Sequence, residues 1–254
     1  MNTKKLLRKL ANRFPKRIRE GKDPIGLQTG KLKEDTNKIL LCLDFDEIAY
    51  ETALKEKPDL ILTHHPFIYG TKNKVFKYDE NKKTLCDKID SLNIPVYSMH
   101  TNFDSGKGGM NDALAEKLEL IDIHVAKCHP MMRGGSLKEE MDVYEFAKYS
   151  KNKLGVDYGL LLPHGKKSIK TVAIIGGGGW GFYKSAMLDG YDIYISGDIP
   201  HHGRRGVISY KFNYLDLPHE IEKVFMEKMA EHILAIDDNI KIIKLDHEKL
   251  PEII

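Results

Sequence analysis

Short apolar runs alternate with stretches of helical spacing through the first 100 residues, and this alternation constrains the fold more than any other feature. Lys38 to Asp44 is an apolar run, Asp46 to Lys57 has helical spacing, and Asp59 to Thr63 is a second apolar run bounded by Pro58 and Pro66. A polar helix near Glu80 to Leu92 and the run Ile94 to Ser98 continue the pattern. Strand, helix, strand in this order predicts an α/β chain with at least partly parallel sheets, because parallel neighbours need a crossover. Further on, the spacing predicts a helix around Leu137 to Leu154, a strand from Thr171 to Ile175, a helix near Trp180 to Leu188 and a strand from Tyr191 to Ile195. These form a second lobe, residues 131–209. The first lobe is then 1–130 together with 210–254, and holds the metal-binding residues. The 254 residues, 41% of them hydrophobic, suffice for one or two ordinary cores.

Ligands in α/β sheets collect beyond the carboxyl ends of the strands. His64 and His65 come directly after the run Asp59–Thr63, and successive side chains of an extended strand point to opposite sides. The pair could therefore hold two different things, such as two metal ions, or one histidine could cap the strand while the other is solvated. Asp104 comes after Ile94–Ser98 and His100 and precedes the glycine-rich turn Ser105-Gly-Lys-Gly-Gly109. Tyr214-Leu-Asp-Leu-Pro218 leads to His219 and Glu222 at the start of a helical stretch, where residues three apart share a face. Each has an ordinary alternative: Asp104 as an Asx-turn residue, His219 and Glu222 as a capping arrangement. Three separate exits that deliver His, His, Asp, His and Glu favour metal. Imidazole nitrogen with carboxylate oxygen suits Zn, Mn, Fe or Co better than Ca or Mg.

With these blocks in view the chain resembles the GTP cyclohydrolase 1 type 2/Nif3 family, also called Nif3-like proteins. Asp23-Pro-Ile-Gly-Leu-Gln28 is similar to that family's opening Asp-Asn-x-Gly-Leu-Gln signature, with Pro24 in place of Asn. Lys38–Asp44 and Asp59–Pro66 resemble its first strand and double-histidine motif. Tyr97–Asp104 with Gly109–Leu114 resembles its His-Thr-Asn-x-Asp and Gly-x-Asn-x-x-Leu segments. Ile174–Gly179, Ser196–His202 and the His219 region match later blocks in order. The resemblance implies a two-lobed Nif3-like fold with mixed sheets flanked by helices, in a short form without an inserted domain. It also implies two divalent metal ions per subunit held by His64, His65, Asp104, His219 and Glu222, and a ring-like homohexamer. The family commonly writes its last pair His-x-x-x-Glu; here His219-Glu-Ile-Glu222 is one residue shorter, which leaves Glu220 as a rival ligand. Such a centre fits a metal-dependent hydrolase acting on a small polar, nucleotide-like substrate, with His100 orienting a ligand or shuttling a proton. The competing reading is a metal-binding regulatory or scaffold protein without catalysis, whose site would be closed to solvent.

The remaining features set bounds. Forty basic and 37 acidic residues leave a net charge of +3, which argues against a nucleic-acid binder driven by bulk electrostatics. The basic opening, Lys4 to Leu10 and Arg13 to Arg19, reads as a solvated face, with a phosphate-binding or membrane-surface helix or a targeting segment as alternatives. No apolar run approaches the ~20 residues that span a bilayer. Cys42, Cys86 and Cys128 lie in no CxxC pattern, which fits a reduced cytoplasmic protein. Gly176 to Gly179 comes after a strand without a Rossmann or P-loop pattern and reads first as a tight turn, second as a phosphate cradle. His201 and His202 read as pocket lining, supporting residues or substrate contacts, and no Gly-x-Ser-x-Gly elbow marks a serine hydrolase.

Overall fold

A strand buried on both faces needs a continuous apolar run, and Ile39, Leu40, Leu41 and Cys42 are all inaccessible to solvent, as are Leu60, Ile61 and Leu62. The computed structural model describes residues 1–252. In chain order its elements begin with α1 (Thr3–Arg13), β1 (Gly26–Thr29), β2 (Lys38–Cys42), α2 (Glu47–Glu56), β3 (Leu60–Thr63), α3 (Lys72–Tyr78), α4 (Glu80–Ser91), β4 (Val96–Ser98) and α5 (Thr101–Ser105). Then come α6 (Met110–Lys117), β5 (Ile121–Val125), β6 (Arg133–Asp142), α7 (Val143–Leu154), β7 (Leu160–Pro163), β8 (Ser168–Ile174), α8 (Tyr183–Leu188), β9 (Ile193–Ser196), α9 (His201–Ser209) and β10 (Asn213–Asp216). The chain ends with α10 (Val224–Leu234) and β11 (Lys241–Lys244). The described residues divide into two units: 1–107 with 225–248, and 108–224 with 249–252.

The first unit carries a five-stranded sheet in the order β1-β4-β3-β2-β11, parallel except for the edge strand β1. Cys42, Thr63 and Ser98 stand in register, so three parallel strands end on one line. On one face Ala49 and Ala53 of α2 and Leu85, Cys86 and Ile89 of α4 pack with Leu40, Cys42, Ile61 and Val96. Asp46 starts α2 by accepting a hydrogen bond from the Ala49 amide, and Asp79 does the same for α4 through Lys82.

The second unit has a six-stranded sheet, β5-β6-β8-β9-β10-β7, in which β8, β9 and β10 are parallel and the rest antiparallel. Its core includes Ala173, Ile175, Tyr194 and Tyr214, the two tyrosine rings meeting edge to face at 5.6 Å. Arg133 is buried and held by Asp112 at 2.9 and 3.1 Å and by the carbonyls of Pro130 and Met131.

Both units are mixed α/β sheets flanked by helices, as expected. Several details differ from the sequence reading. Leu137 to Asp142 is strand, not helix: its charged residues favour a helix locally, but β6 pairs with β8 from Arg133 to Asp142. The His219 block follows β10, an inner strand of the second sheet, and lies in the second unit, and the boundaries fall at 107 and 225 rather than 130 and 210. β1, β5, β7 and β11 are short edge or near-edge strands with little periodic signal.

Candidate metal centre

The register that aligns Cys42, Thr63 and Ser98 also aligns the residues just beyond them. Asp44, His65 and His100 each lie two residues past that line, so they emerge side by side. His65 Nδ1 donates to Asp44 Oδ2 at 2.7 Å, and His100 Nδ1 donates to Asp23 Oδ1 at 2.9 Å. His64, wholly buried, donates from Nδ1 to the Met99 carbonyl at 3.0 Å. One ring nitrogen of each of the three histidines lies within 4.8 Å of the others. The imidazoles of His64 and His65 do not point to opposite sides: their centroids are 4.9 Å apart, because the chain leaves the extended conformation and bends at residue 64. Asp104 sits on α5, the short helix that follows β4, with Oδ1 3.5 Å from His64 Nε2.

Asp23 is 6% exposed and accepts hydrogen bonds from His100, from the Thr101 amide at 3.0 Å and from the Thr101 hydroxyl at 2.5 Å. Burial alone would raise its carboxyl, but these hydrogen bonds outweigh the desolvation and hold it below the ordinary value.

In the second unit the same device recurs at the ends of β8, β9 and β10. Ile195 pairs with Ile174 and Ser196 with Asp216, so Gly177 and Asp198 both lie two residues beyond one line and His219 one residue further. His219 Nδ1 donates to Asp198 Oδ2 at 2.6 Å, and its Nε2 stands 3.1 Å from Glu222 Oε2. The segment His219–Lys223 is a 3-10 turn rather than the start of an α-helix. With three residues per turn, positions i and i+3 eclipse, which is why a His-x-x-Glu spacing brings the pair together here. Glu222 is 3% exposed, whereas Glu220 turns into a neighbouring cleft.

Gly177 adopts φ +60, and a Cβ there would lie 2.4 Å from Glu222 Oε1 and 2.8 Å from His219 Nε2. The glycine run is thus required by the close approach of these two side chains. His201 and His202 stand exposed on α9, His202 edge-on to Trp180 at 5.2 Å.

The donor chemistry fits a divalent transition-metal ion. Each of the four histidines gives its Nδ1 proton to a carboxylate or carbonyl that can only accept, which leaves Nε2 with its lone pair outward. Lone pairs of His219 Nε2 and a Glu222 oxygen 3.1 Å apart repel unless a proton or a cation stands between them. Donors around an ion at ~2.0–2.1 Å are about 3.3 Å apart in a tetrahedron, close to the 3.1 and 3.5 Å observed. Sequence spacing alone does not single out Asp23, Asp44 and Asp198, which fix the ring orientations. The available signal is position: Asp44 and Asp198 each lie just past a strand end, as the histidines do.

A cleft of about 310 Å³ opens beside His219, lined among others by Tyr158, Asp198, Asp216 and Glu220. Burial, reinforced by the Asp198 charge, pushes the Asp216 carboxyl up to about 6.

Fold and site together define an α/β protein of two sheet-based units, each with histidine and carboxylate donors at the carboxyl ends of parallel strands, able to hold metal ions. The chain belongs to the Duf34/NIF3 (NGG1p interacting factor 3) family, whose model matches residues 1–251. A relative from Clostridium perfringens, named as a GTP cyclohydrolase 1 type 2 homolog, is 32% identical over 248 residues, covering 93% of each chain. One of the same name from Lactococcus lactis is 29% identical over 241 residues with the same coverage. Among solved structures, a Bacillus cereus protein related to NIF3 superposes with a TM-score of 0.87 at 20% identity, covering 100% of this chain and 99% of its own. Reduced HcgD from Methanocaldococcus jannaschii gives 0.82 at 26% identity, covering 97% and 98%. No helix among the described residues is long and apolar enough to cross a membrane.

Proposed function

We propose that the protein is a metal-dependent hydrolase acting on a small polar substrate, with His64, His65 and Asp104 as metal ligands in the first unit and His219 and Glu222 as metal ligands in the second. The observation that carries catalysis over a purely structural role is access. The His219 side chain is 37% exposed and borders the 310 Å³ cleft, whereas a structural site is closed by its protein ligands. Divalent ions bound by these residues would supply Lewis acidity and bring the ionisation of water near neutral pH.

The chain's own groups have separate tasks. Asp44, Asp198 and the Met99 carbonyl lock the rings of His65, His219 and His64 so that Nε2 serves as donor. His100, fixed by Asp23, presents its remaining nitrogen to the same cluster and is the candidate acceptor of a proton from an attacking water. Asp198 and Asp216 line the cleft, so it favours a substrate edge rich in N–H donors and disfavours phosphate there. The relatives' name, GTP cyclohydrolase 1 type 2 homolog, points to ring opening of a guanine nucleotide as the first reaction to try.

The test is elemental analysis of protein purified without added metal, alongside His65→Ala and Asp104→Ala, then a panel of nucleotides and phosphoesters with the preferred ion restored. Bound metal that falls in both variants, with turnover in the wild type, is expected. Unchanged metal content in both would remove the assignment of these ligands. Metal binding without turnover on any panel member would favour the regulatory-protein reading.

A further inference from the structure

Lys72 and Asp90 carry their charges at the wrong ends of their helices. Lys72 opens α3, where the helix dipole favours an anion, and Asp90 lies in the last turn of α4, where it favours a cation. Helix stability therefore explains neither charge. Among the described residues, neither side chain forms an ion pair.

What holds them is a hydroxyl. Thr29, 3% exposed at the end of β1, accepts from Lys72 Nζ at 2.9 Å and donates to Asp90 Oδ1 at 2.7 Å. Its other lone pair faces Cys86 Sγ at 3.0 Å, so the hydroxyl is saturated. Cys86 Sγ in turn lies 3.5 Å from Lys72 Nζ and 3.8 Å from Asp90 Oδ2. An ammonium has three donors and a carboxylate about four lone-pair positions, so both groups keep capacity on the side away from Thr29. A lysine fixed in this way has already lost the rotamer freedom that a ligand would otherwise have to remove.

Both groups line a cavity of about 490 Å³, the scale of a small-molecule site, bounded also by Leu27, Lys31 and Asn93. Leu27 is 47% exposed and offers an apolar surface on the same wall. At φ +79, Gly30 lets the chain cross Pro95 closely, where a Cβ would stand 2.8 Å from the proline Cα. None of the residues that line this cavity is a candidate metal ligand.

We propose that the cavity binds a free α-amino acid with an apolar side chain. Its carboxylate lies on Lys72 and Lys31, its ammonium on Asp90, and its side chain against Leu27. A simple anion would meet Lys72 and be repelled by Asp90, and a simple cation would meet the reverse. Charges of both signs, bridged but not paired, match a molecule that carries both on adjacent groups. A staple that only tied α3 to α4 would bring the ammonium directly onto the carboxylate.

The test is calorimetric titration of the full-length protein with L-leucine, with L-leucinamide, which lacks the carboxylate, and with N-acetyl-L-leucine, which lacks the ammonium. For a ligand of about nine heavy atoms a Kd of ~10 μM to ~1 mM is expected. Each analogue should bind at least about tenfold more weakly, and K72Q and D90N should each weaken leucine binding by about 10–100-fold, the loss of one charge-assisted hydrogen bond. Both residues are exposed, so the variants should fold, with bound metal unchanged. The analogue comparison uses the wild-type protein and decides the matter should a variant unfold. No saturable binding of leucine below ~10 mM, equal binding of the analogues, or wild-type affinity in folded K72Q and D90N would each overturn the proposal.

Discussion

Gly177→Ala is expected to separate metal binding from folding. At φ +60 an alanine costs about 1–2 kcal/mol relative to glycine. The larger effect is steric. The new Cβ would stand 2.4 Å from Glu222 Oε1, where ordinary contact begins at 3.4 Å, so that oxygen must retreat by about 1 Å. The backbone cannot yield instead, because the Gly177 carbonyl accepts hydrogen bonds from the Gly197 amide at 2.7 Å, the Gly179 amide at 3.0 Å and Ser196 Oγ at 3.1 Å. Glu222 is buried, so its carboxylate has little free space. Metal–ligand distances tolerate about 0.2 Å, and disturbing even the groups that orient ligands costs about 10–100-fold in affinity. At least that loss is expected, while a domain of ordinary stability, about 5–15 kcal/mol, stays folded at 25 °C. Gly178→Ala is the control: its φ is −78 and its Cβ would meet Asp198 Oδ2 at 3.5 Å, an ordinary contact. Zinc or cobalt titration against a chromophoric chelator, with thermal unfolding of the same samples, reads both quantities. Wild-type metal affinity in folded Gly177→Ala, or equal losses in both variants, would refute the placement of Glu222 and His219 as ligands.

Glu222→Gln should lower metal affinity by about tenfold or more and Glu220→Gln much less, since only Glu222 faces His219 Nε2; calorimetric titration decides, and the reverse order would show that the 3-10 register does not persist in the metal-bound protein. Acid should destabilise the protein through Asp59: burial raises its carboxyl, but the Asn37 and Lys38 amides and the Lys33 ammonium outweigh this and hold it below 3.8. With the folded value below the unfolded one, its contribution is complete above about pH 4 and is lost as pH falls through the lowered value, so Asp59→Asn should flatten that limb in urea unfolding; an unchanged limb would refute it. Light scattering should give a mass near six times 29.0 kDa; a monomer at all dilutions would remove the hexamer expected from the resemblance.

The sequence by itself determined the α/β class and the strands that carry the candidate ligands. A strand buried on both faces must be apolar throughout, and Leu60–Thr63 has no other use than burial. The same run ends at a proline-bounded turn, so His64 and His65 could only emerge at a strand end. The order of blocks likewise carried the family resemblance. Pairing and register were decided by the tertiary structure, because they depend on partners distant in the chain. Leu137–Asp142 has helix-favouring residues and becomes strand only because β8 lies beside it. Asp23, 77 residues before His100, orients that imidazole through a contact no local spacing announces. The glycine at 177 reads as a simple turn until Glu222 and His219 are placed against it. Hydrophobic pattern is local and legible one segment at a time. Which carboxylate meets which imidazole depends on strand order, and strand order is settled only when the sheet forms.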